Sequence, residues 1–501
     1  MSTTIDNSVE FDKSDPLSIY EHSRHLIGNS LHTLFGDKAV ELSRKGKGGL
    51  GQMVEQLFFG YEINTKREAD FAEANLELKC TPLLKSKTSD TYRIKERLVC
   101  TMIDYFELID TPFEKSHLIA KCRLMLLLFY LHVNDKAIYD FEFLYRVLWQ
   151  IPEKDLLLIS KDYQTISDKV KRGEAHLLSE GDTMYLGACR KGQKNDNLQP
   201  QPNSDIKANK RAFSLKPAYM RYILSHVTES GNNHYSNFTA PKQPGFELVS
   251  SKELKNNSFE NIIIERFKPY IGKNFVQICK MLDIEPYQAK NKYADIAGLI
   301  ASNQADKRLN RAEEFVKSGI ILKTVRLQSS GAPKESMSFK NIDYHEIYNN
   351  DKWLESEIYE LFTSRFMFVV FRPHPHDTIE IPNNRTGQSD IETAYILDSV
   401  FFWTMPPQDL EVAEDYWKNI RDGVLSNNIS TDYFWSIRNH RKFHVRPKAR
   451  VNADKTPNPN GGVCNKLCYW FNAEYVKQII ENRHNAVSYT HLRAHETELH
   501  L

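Results

Sequence analysis

The stretch Leu76-Glu77-Leu78-Lys79-Cys80 alternates apolar and charged positions with period two, the pattern of a half-buried strand. It predicts Leu76, Leu78 and Cys80 on the core side and Glu77 and Lys79 together on the other, with Thr81-Pro82-Leu83 ending the strand. Upstream, residues 49–60 read as an amphipathic helix carrying a single acidic residue, Glu55. Further strands are expected over Lys95–Asp104 and Cys122–Leu131, the second fully buried. Helices are expected over Leu17–Phe35, Phe141–Trp149 and Glu153–Arg172, their aromatic residues belonging to the core. From Thr228 to Asn257 the chain is rich in Ser, Asn, Gly, Pro and Lys without periodicity, which predicts an exposed linker and a second domain from about Phe259.

A length of 501 residues suits two domains, each with its own core. No apolar run approaches the roughly 18 residues of a membrane span, and the N-terminus lacks the basic and apolar regions of an export signal. Seven scattered cysteines fit a reducing cytoplasm better than a disulfide framework. Cys464 and Cys468 could form half a zinc site, but no second pair stands nearby.

The net charge is only +1, so any nucleic acid must be held by local patches. One patch places Arg190, Lys191, Lys194, Lys207, Lys210, Arg211 and Lys216 against two acidic residues, and a second places Arg438, Arg441, Lys442, Arg446, Lys448, Arg450 and Lys455 against one. Both are interleaved with Asn, Gln or Ser, side chains able to bond phosphates and base edges. The basic, glycine-rich run Arg44–Leu50 can also approach a phosphate backbone through its amides.

Candidate chemistry gathers at the first strand. Asp70 enters from the preceding turn beside Glu77, so two carboxylates and a backbone carbonyl offer the all-oxygen surroundings of a hard Mg²⁺ ion, with Lys79 placed to hold water. That is an arrangement for metal-assisted phosphodiester hydrolysis. The bland alternative is a solvated strand face.

The flanking residues resemble the MutH and Sau-type GATC endonuclease family. Its pattern G-x-x-x-E-x-x-x-x-G followed by D-F-x-x-x-x-x-E-L-K-x-x-P is met by Glu55, Asp70, Phe71, Glu77, Leu78, Lys79 and Pro82, and Ser116-His117-x-x-x-Lys121 is similar to the segment supplying an additional active-site lysine. Ala212–Met220 resembles the closing DNA-contacting segment, with Ser214 where the mismatch-repair enzyme has an aromatic residue. A diverged second copy lies at an offset of 244, in which Glu314 falls over Asp70, Ile321 over Glu77 and Lys323 over Lys79. Its Arg446-Pro447-Lys448 resembles a family loop, and Tyr469-Trp470-Phe471-Asn472 the closing segment.

The resemblance spans residues 45–482 and implies an α/β fold built as two tandem MutH-like restriction-endonuclease domains, each a mixed sheet flanked by helices. Residues 1–228 would be catalytic, 229–258 a linker, and 259–486 a DNA-binding effector that does not cut. Residues 487–501 look foreign to the family and resemble a non-native tail. By resemblance the protein is a type II restriction endonuclease of the bacterial cytoplasm, cutting duplex 5′-GATC-3′ before the G with Mg²⁺. Asp70 and Glu77 would bind metal, while Lys79, Glu55 and Lys121 would complete the catalytic site. DNA contacts are expected from Arg190, Lys191, Lys194, Lys210, Arg211, Ser214, Lys216, Arg446, Lys448 and Arg450. A cognate methyltransferase would be the functional partner, and a dimer on DNA is possible. A strand-nicking mismatch-repair nuclease and a catalytically silent DNA-binding regulator are the alternatives.

Overall fold

The computed structural model describes residues 11–45, 49–61, 68–85, 91–192, 197–230, 245–383, 387–447 and 454–483. Lys194, Lys448, Arg450, the centre of the 44–50 run and the 487–501 tail lie outside them. The chain divides into two compact units, residues 1–178 with 182–244, and residues 179–181 with 245–501.

In the first unit, β1 (Glu77–Lys85), β2 (Tyr92–Ile94), β4 (Leu124–Leu131) and β5 (Phe143–Gln150) form a mixed sheet in the order β2-β1-β4-β5. The pair β1–β4 is parallel, with Glu77 opposite Met125 and Leu83 opposite Leu131, and the other pairs are antiparallel. A second sheet has the order β3-β9-β6, from β3 (Leu98–Met102), β6 (Leu186–Arg190) and β9 (Arg211–Leu215), and the hairpin β7 (Leu198–Gln201)–β8 (Ser204–Asn209) leads into β9. Leu126, Leu128, Leu76, Leu78 and Phe71 anchor the core beneath β1 and β4.

Three local expectations change. Pro82 does not end β1: its carbonyl accepts the Lys95 N–H at 3.1 Å, so its missing N–H falls on the side away from β4 and breaks no bond of the parallel ladder. The stretch expected as a helix over 141–149 instead enters β5 at Phe143, because Phe141, Tyr145 and Trp149 match helical spacing and strand alternation equally, and pairing with β4 decides. The helix expected over 17–35 breaks into helix Pro16–His22, a 3₁₀ turn Ser23–Leu26 and helix Leu31–Phe35. Gly28 turns the chain at φ +79° and donates its N–H to Phe143 O at 2.8 Å.

The second unit repeats this plan. Strand β10 (Ile321–Arg326) runs parallel to β12 (Phe366–Asn383), which pairs antiparallel with β13 (Gln388–Trp403). Strands β11 (Met337–Asn341), β14 (Phe443–Pro447) and β17 (Leu467–Phe471) form the sheet β11-β17-β14, and β15 (Lys455–Pro457)–β16 (Val463–Asn465) the hairpin. Ile321 faces Phe366 as Glu77 faces Met125, and Gly272 donates to Leu397 O as Gly28 does to Phe143 O. The 18- and 16-residue arms of β12 and β13 replace the 8- and 8-residue arms of β4 and β5. The expected linker is ordered at its end: a Ser250–Glu253 capping box starts helix Ser251–Asn256, which buries Leu254, so the second unit begins before Phe259.

Candidate active site

A tight turn brings the first carboxylate to the strand. Phe71 and Leu76 exchange backbone hydrogen bonds at 3.0 and 3.2 Å around a 3₁₀ turn, Ala72–Ala74, that Asn75 closes in the left-handed region at φ 48°. Asp70 is thereby fixed against β1: its Oδ2 accepts the Leu78 N–H at 3.0 Å, and its own N–H donates to Glu77 Oε2 at 3.3 Å. Glu77 is only 1% exposed, which rules out the solvated-face reading of the alternating stretch.

Two lysines converge on the buried carboxylate. Lys79 Nζ donates to Glu77 Oε1 at 2.6 Å, and Lys121 Nζ lies 3.3 Å from the same oxygen. Lys121 comes from helix His117–Cys122, whose first turn is capped by Ser116 Oγ. Glu55 arrives from a widened π-helical turn, Val54–Phe58, that follows helix Leu50–Met53 and ends before Gly60 at φ +65°. All five residues singled out as catalytic thus belong to one cluster, assembled from three separate stretches of chain.

The charges in the cluster are strongly coupled. Burial, then the negative charges of Asp70 and Glu77, push the Glu55 carboxyl up to about 7. Burial and the Glu77 charge likewise raise Asp70. Burial opposes the charge on Lys79, but the Glu77 carboxylate outweighs it and holds the lysine protonated. Asp70 and Glu77 supply oxygen donors at which mutual repulsion would be relieved by a hard divalent cation, so the donor set fits such an ion. Among the described residues no group of three or more His, Cys, Asp or Glu forms a ready-made metal cage, so water and substrate oxygens would complete the coordination. Cys464 Sγ contacts Thr456 O and Cys468 Sγ contacts Asn341 Oδ1.

Beside Lys121 opens a cavity of about 670 Å³ whose walls include Met102, Tyr105, Phe106, His117, Gln199 and Lys210. Of these the sequence singles out only Lys210 and, in the Ser116–Lys121 segment, His117; Met102 and Phe106 are apolar residues more than half exposed.

The basic patches separate into surface and interior. Arg190 ends β6 half-buried, the Lys191 N–H donates to Lys210 O at 2.8 Å, and Lys210 is exposed. Arg211, Ser214 and Lys216, expected to contact DNA, instead point into the protein. The Arg211 guanidinium donates to Ala188 O at 2.6 Å and to Leu178 O, Lys216 Nζ donates to Thr183 O, and Ser214 is 1% exposed between Val99 and Gly187. A long cation next to unpaired carbonyls at a strand or helix end satisfies them, which explains basic residues in the interior. In the second unit the position of Ser214 in the three-stranded sheet is taken by Trp470, which faces Ser338 and His444. Arg446 lies 3.9 Å over the Trp470 ring, and Trp470 Nε1–H donates to Arg446 O at 3.1 Å.

Among the described residues, the second unit holds no equivalent of the acidic cluster. Ile321 stands for Glu77, and Leu299, at the same offset of 244, for Glu55. Helix Glu357–Phe362, capped by Ser356 as His117–Cys122 is by Ser116, puts Leu361 in the place of Lys121. Glu314 accepts the Leu248 and Val249 amides at 2.9 and 3.3 Å, and Lys323 Nζ donates to Ser338 O at 2.7 Å.

A family model described as the DNA mismatch repair enzyme MutH matches residues 59–162, a range that contains Asp70, Glu77, Lys79 and Lys121. The type II restriction enzyme Sau3AI of Staphylococcus aureus is 29% identical over 511 aligned residues, covering 93% of this chain and 98% of the relative. That likeness runs through both units, and the chain is similar to the MutH and Sau-type restriction endonuclease family.

Proposed function

We propose that this protein is a type II restriction endonuclease of the bacterial cytoplasm that uses Mg²⁺ to hydrolyse duplex DNA at 5′-GATC-3′, cutting before the G. The second unit acts as an effector that binds DNA without cutting, and a cognate methyltransferase protects the host's own sites. The observation that carries the catalytic reading is the convergence of Lys79 and Lys121 on Glu77, itself hydrogen-bonded to the backbone of Asp70.

Asp70 and Glu77 would hold the cation, which when bound neutralises charge on the scissile phosphate and makes water more acidic. Lys79, kept protonated, positions the attacking water and faces the charge that grows on the phosphate oxygens. Lys121 adds a second positive charge at the same place. Glu55, whose carboxyl is pushed up to about 7, can take up or release a proton at the edge of the cluster. The exposed Lys210, with Arg190 and Lys191, faces the duplex. Arg211 and Lys216 hold the frame from which that surface projects.

A strand-nicking repair nuclease needs no second DNA-binding unit, and a silent regulator needs no intact cluster. A digestion panel decides. Unmethylated, hemimethylated and fully methylated GATC plasmids are incubated with Mg²⁺, then with EDTA, and the ends sequenced. Double-strand ends beginning at the G, formed only with metal, support the proposal. Nicks alone favour the repair reading, and intact plasmid the regulator.

A further inference from the structure

Two exposed apolar side chains stand in the cavity beside Lys121. Met102, 57% exposed, ends β3, and Phe106, 51% exposed, lies in the first turn of helix Tyr105–Asp110; both line the 670 Å³ space with Lys121 and the exposed Lys210. A single exposed apolar residue is unremarkable, but two in one concave space shared with two lysines call for an occupant. Their mounting is firm. Asp104 Oδ1 accepts the Phe106 and Glu107 amides at 2.9 and 3.1 Å, the Ile103 N–H donates to Arg211 O at 2.9 Å, and the buried Tyr105 donates its hydroxyl to Asn209 O, next to Lys210. With the Asp104 carboxylate turned to helix amides and Glu107 paired with His117 at 3.1 Å, Lys121 and Lys210 present positive charge to whatever enters.

The second unit has the same mount without the apolar pair. Asp343 Oδ1 accepts the His345 and Glu346 amides, each at 3.0 Å, and Tyr344 donates its hydroxyl to Asn465 O at 2.9 Å. Asn341 pairs with Cys468 where Met102 pairs with Ala212, so Asn341 and His345 hold the places of Met102 and Phe106. The scaffold therefore folds with polar residues at both positions, and the apolar pair is confined to the unit that carries Asp70, Glu77 and Lys79.

We propose that Met102 and Phe106 are specificity-determining residues that contact the C5-methyl group of a thymine in the GATC duplex. Apolar side chains gain nothing from phosphates, and the thymine methyl is the apolar feature that a base pair offers in the major groove. Base steps rise by about 3.4 Å, so with the scissile phosphate at Lys121 the first two base pairs of the site lie over the cavity. The second of them, A·T, carries a thymine on the opposite strand. This assignment rests on the GATC reading given above and adds to it the residues that read one of its bases.

The test compares two duplexes that differ only in uracil for thymine in both strands of GATC, using the full chain. Initial cleavage rates are measured with Mg²⁺, and binding without metal. The unaltered protein should prefer the thymine duplex by about fourfold for each methyl it covers, the worth of one buried methyl group. Met102→Ala and Phe106→Ala should lose ground on the thymine duplex and treat the two alike, whereas Met102→Leu should keep the preference. Met102→Asn and Phe106→His, residues that the second unit accommodates, should melt at the normal temperature and still lose the preference, which guards against a misfolded alanine variant. Equal cutting and binding of both duplexes by the unaltered protein would overturn the methyl contact and leave the GATC reading standing. Failure to cut the thymine duplex at all would fault that reading, and the assignment would fall with it. Alanine variants slow on both duplexes but still preferring thymine would overturn the assignment by making the pair a support for Lys121.

Discussion

Lys79 Nζ and Glu77 Oε1 lie 2.6 Å apart on one face of β1, two residues removed in sequence. A carboxylate this buried costs several kcal/mol unless it is paired, so the lysine does double service: it offsets the charge of Glu77 and presents its remaining protons outward.

Lys79→Ala should therefore lower kcat by about 10²–10³, the usual consequence of removing one donor aimed at developing charge. It should also cost stability, softened by Lys121, which keeps its 3.3 Å contact with the carboxylate. Single-turnover cleavage together with a urea titration separates the two effects. A variant that cuts normally would mean that Lys79 only neutralises Glu77.

Glu77→Gln and Asp70→Asn should abolish cutting while duplex binding without metal persists, since each weakens a candidate metal ligand and keeps its shape. Calorimetric titration with Mg²⁺ gives an independent reading. Unchanged metal affinity in both variants would place the ion elsewhere.

The repeat is visible in its interior polar bonds. Tyr219 donates to Asp155 Oδ2 at 2.7 Å, and Tyr475 donates to Asp409 Oδ2 at 2.6 Å, each joining the closing helix of its unit to a 19-residue helix, Glu153–Lys171 or Pro407–Leu425. Tyr219→Phe and Tyr475→Phe should each lose about 1–3 kcal/mol, the cost of leaving a buried carboxylate short of one donor. Denaturant unfolding of the two single variants measures it, and a loss confined to one would show that the two bonds are not equivalent.

The candidate cluster was legible because Asp70, Glu77 and Lys79 come from one short stretch whose flanks match the family pattern. The same logic fails for Arg211, Lys216 and Ser214. Sequence shows a positive charge but not its direction, and only the fold reveals that carbonyls of Ala188, Leu178 and Thr183 await those cations. Likewise the helix expected at 141–149 required knowledge of β4 to be reassigned, because pairing across a sheet is not a local property. Glu314 matched Asp70 by offset, yet its carboxylate serves the amides of Leu248 and Val249, which lie 65 and more residues earlier.

Arg211→Ala and Lys191→Ala should then differ in kind. Arg211→Ala should destabilise the first unit by leaving two carbonyls without their donor, about 1–3 kcal/mol each, and lower cutting only as folded protein is lost. Lys191→Ala should leave melting unchanged and weaken cognate binding by about 1–3 kcal/mol if it meets a base edge. Equal losses on cognate and random duplex would make Lys191 a phosphate contact.

Acid should weaken the second unit through His444. It is 0% exposed, stacked 6.0 Å from Trp470, and burial together with the neighbouring Arg446 lowers it to about 4. An unfolded histidine titrates near 6.5. Between those values the unfolded chain takes up a proton that the folded chain refuses, so this contribution to stability is complete above about 6.5 and declines as the pH falls towards 4. The urea midpoint should drop over that window, and His444→Phe should flatten the drop. A pH profile identical in the variant would assign the acid sensitivity to other groups.

The second unit keeps a basic strand end and an aromatic platform but has Ile321, Leu299 and Leu361 where the first has Glu77, Glu55 and Lys121. A unit with that inventory can hold DNA without hydrolysing it, and if binding there favours the cutting form of the enzyme, the two sites share a coupling free energy. A plasmid with two GATC sites should then be cut faster than one with a single site. An uncleavable GATC oligonucleotide should stimulate cutting of the single site at low concentration. Arg446→Ala should remove the stimulation, because Arg446 lies over the Trp470 ring near the end of β14, whereas the change replaces none of Asp70, Glu77 and Lys79. Coupling constants of allosteric systems are commonly about 5–150-fold, so the effect should be readable in initial rates. Equal rates on one-site and two-site plasmids, with an oligonucleotide that only inhibits, would leave the second unit as a scaffold or a source of non-specific affinity.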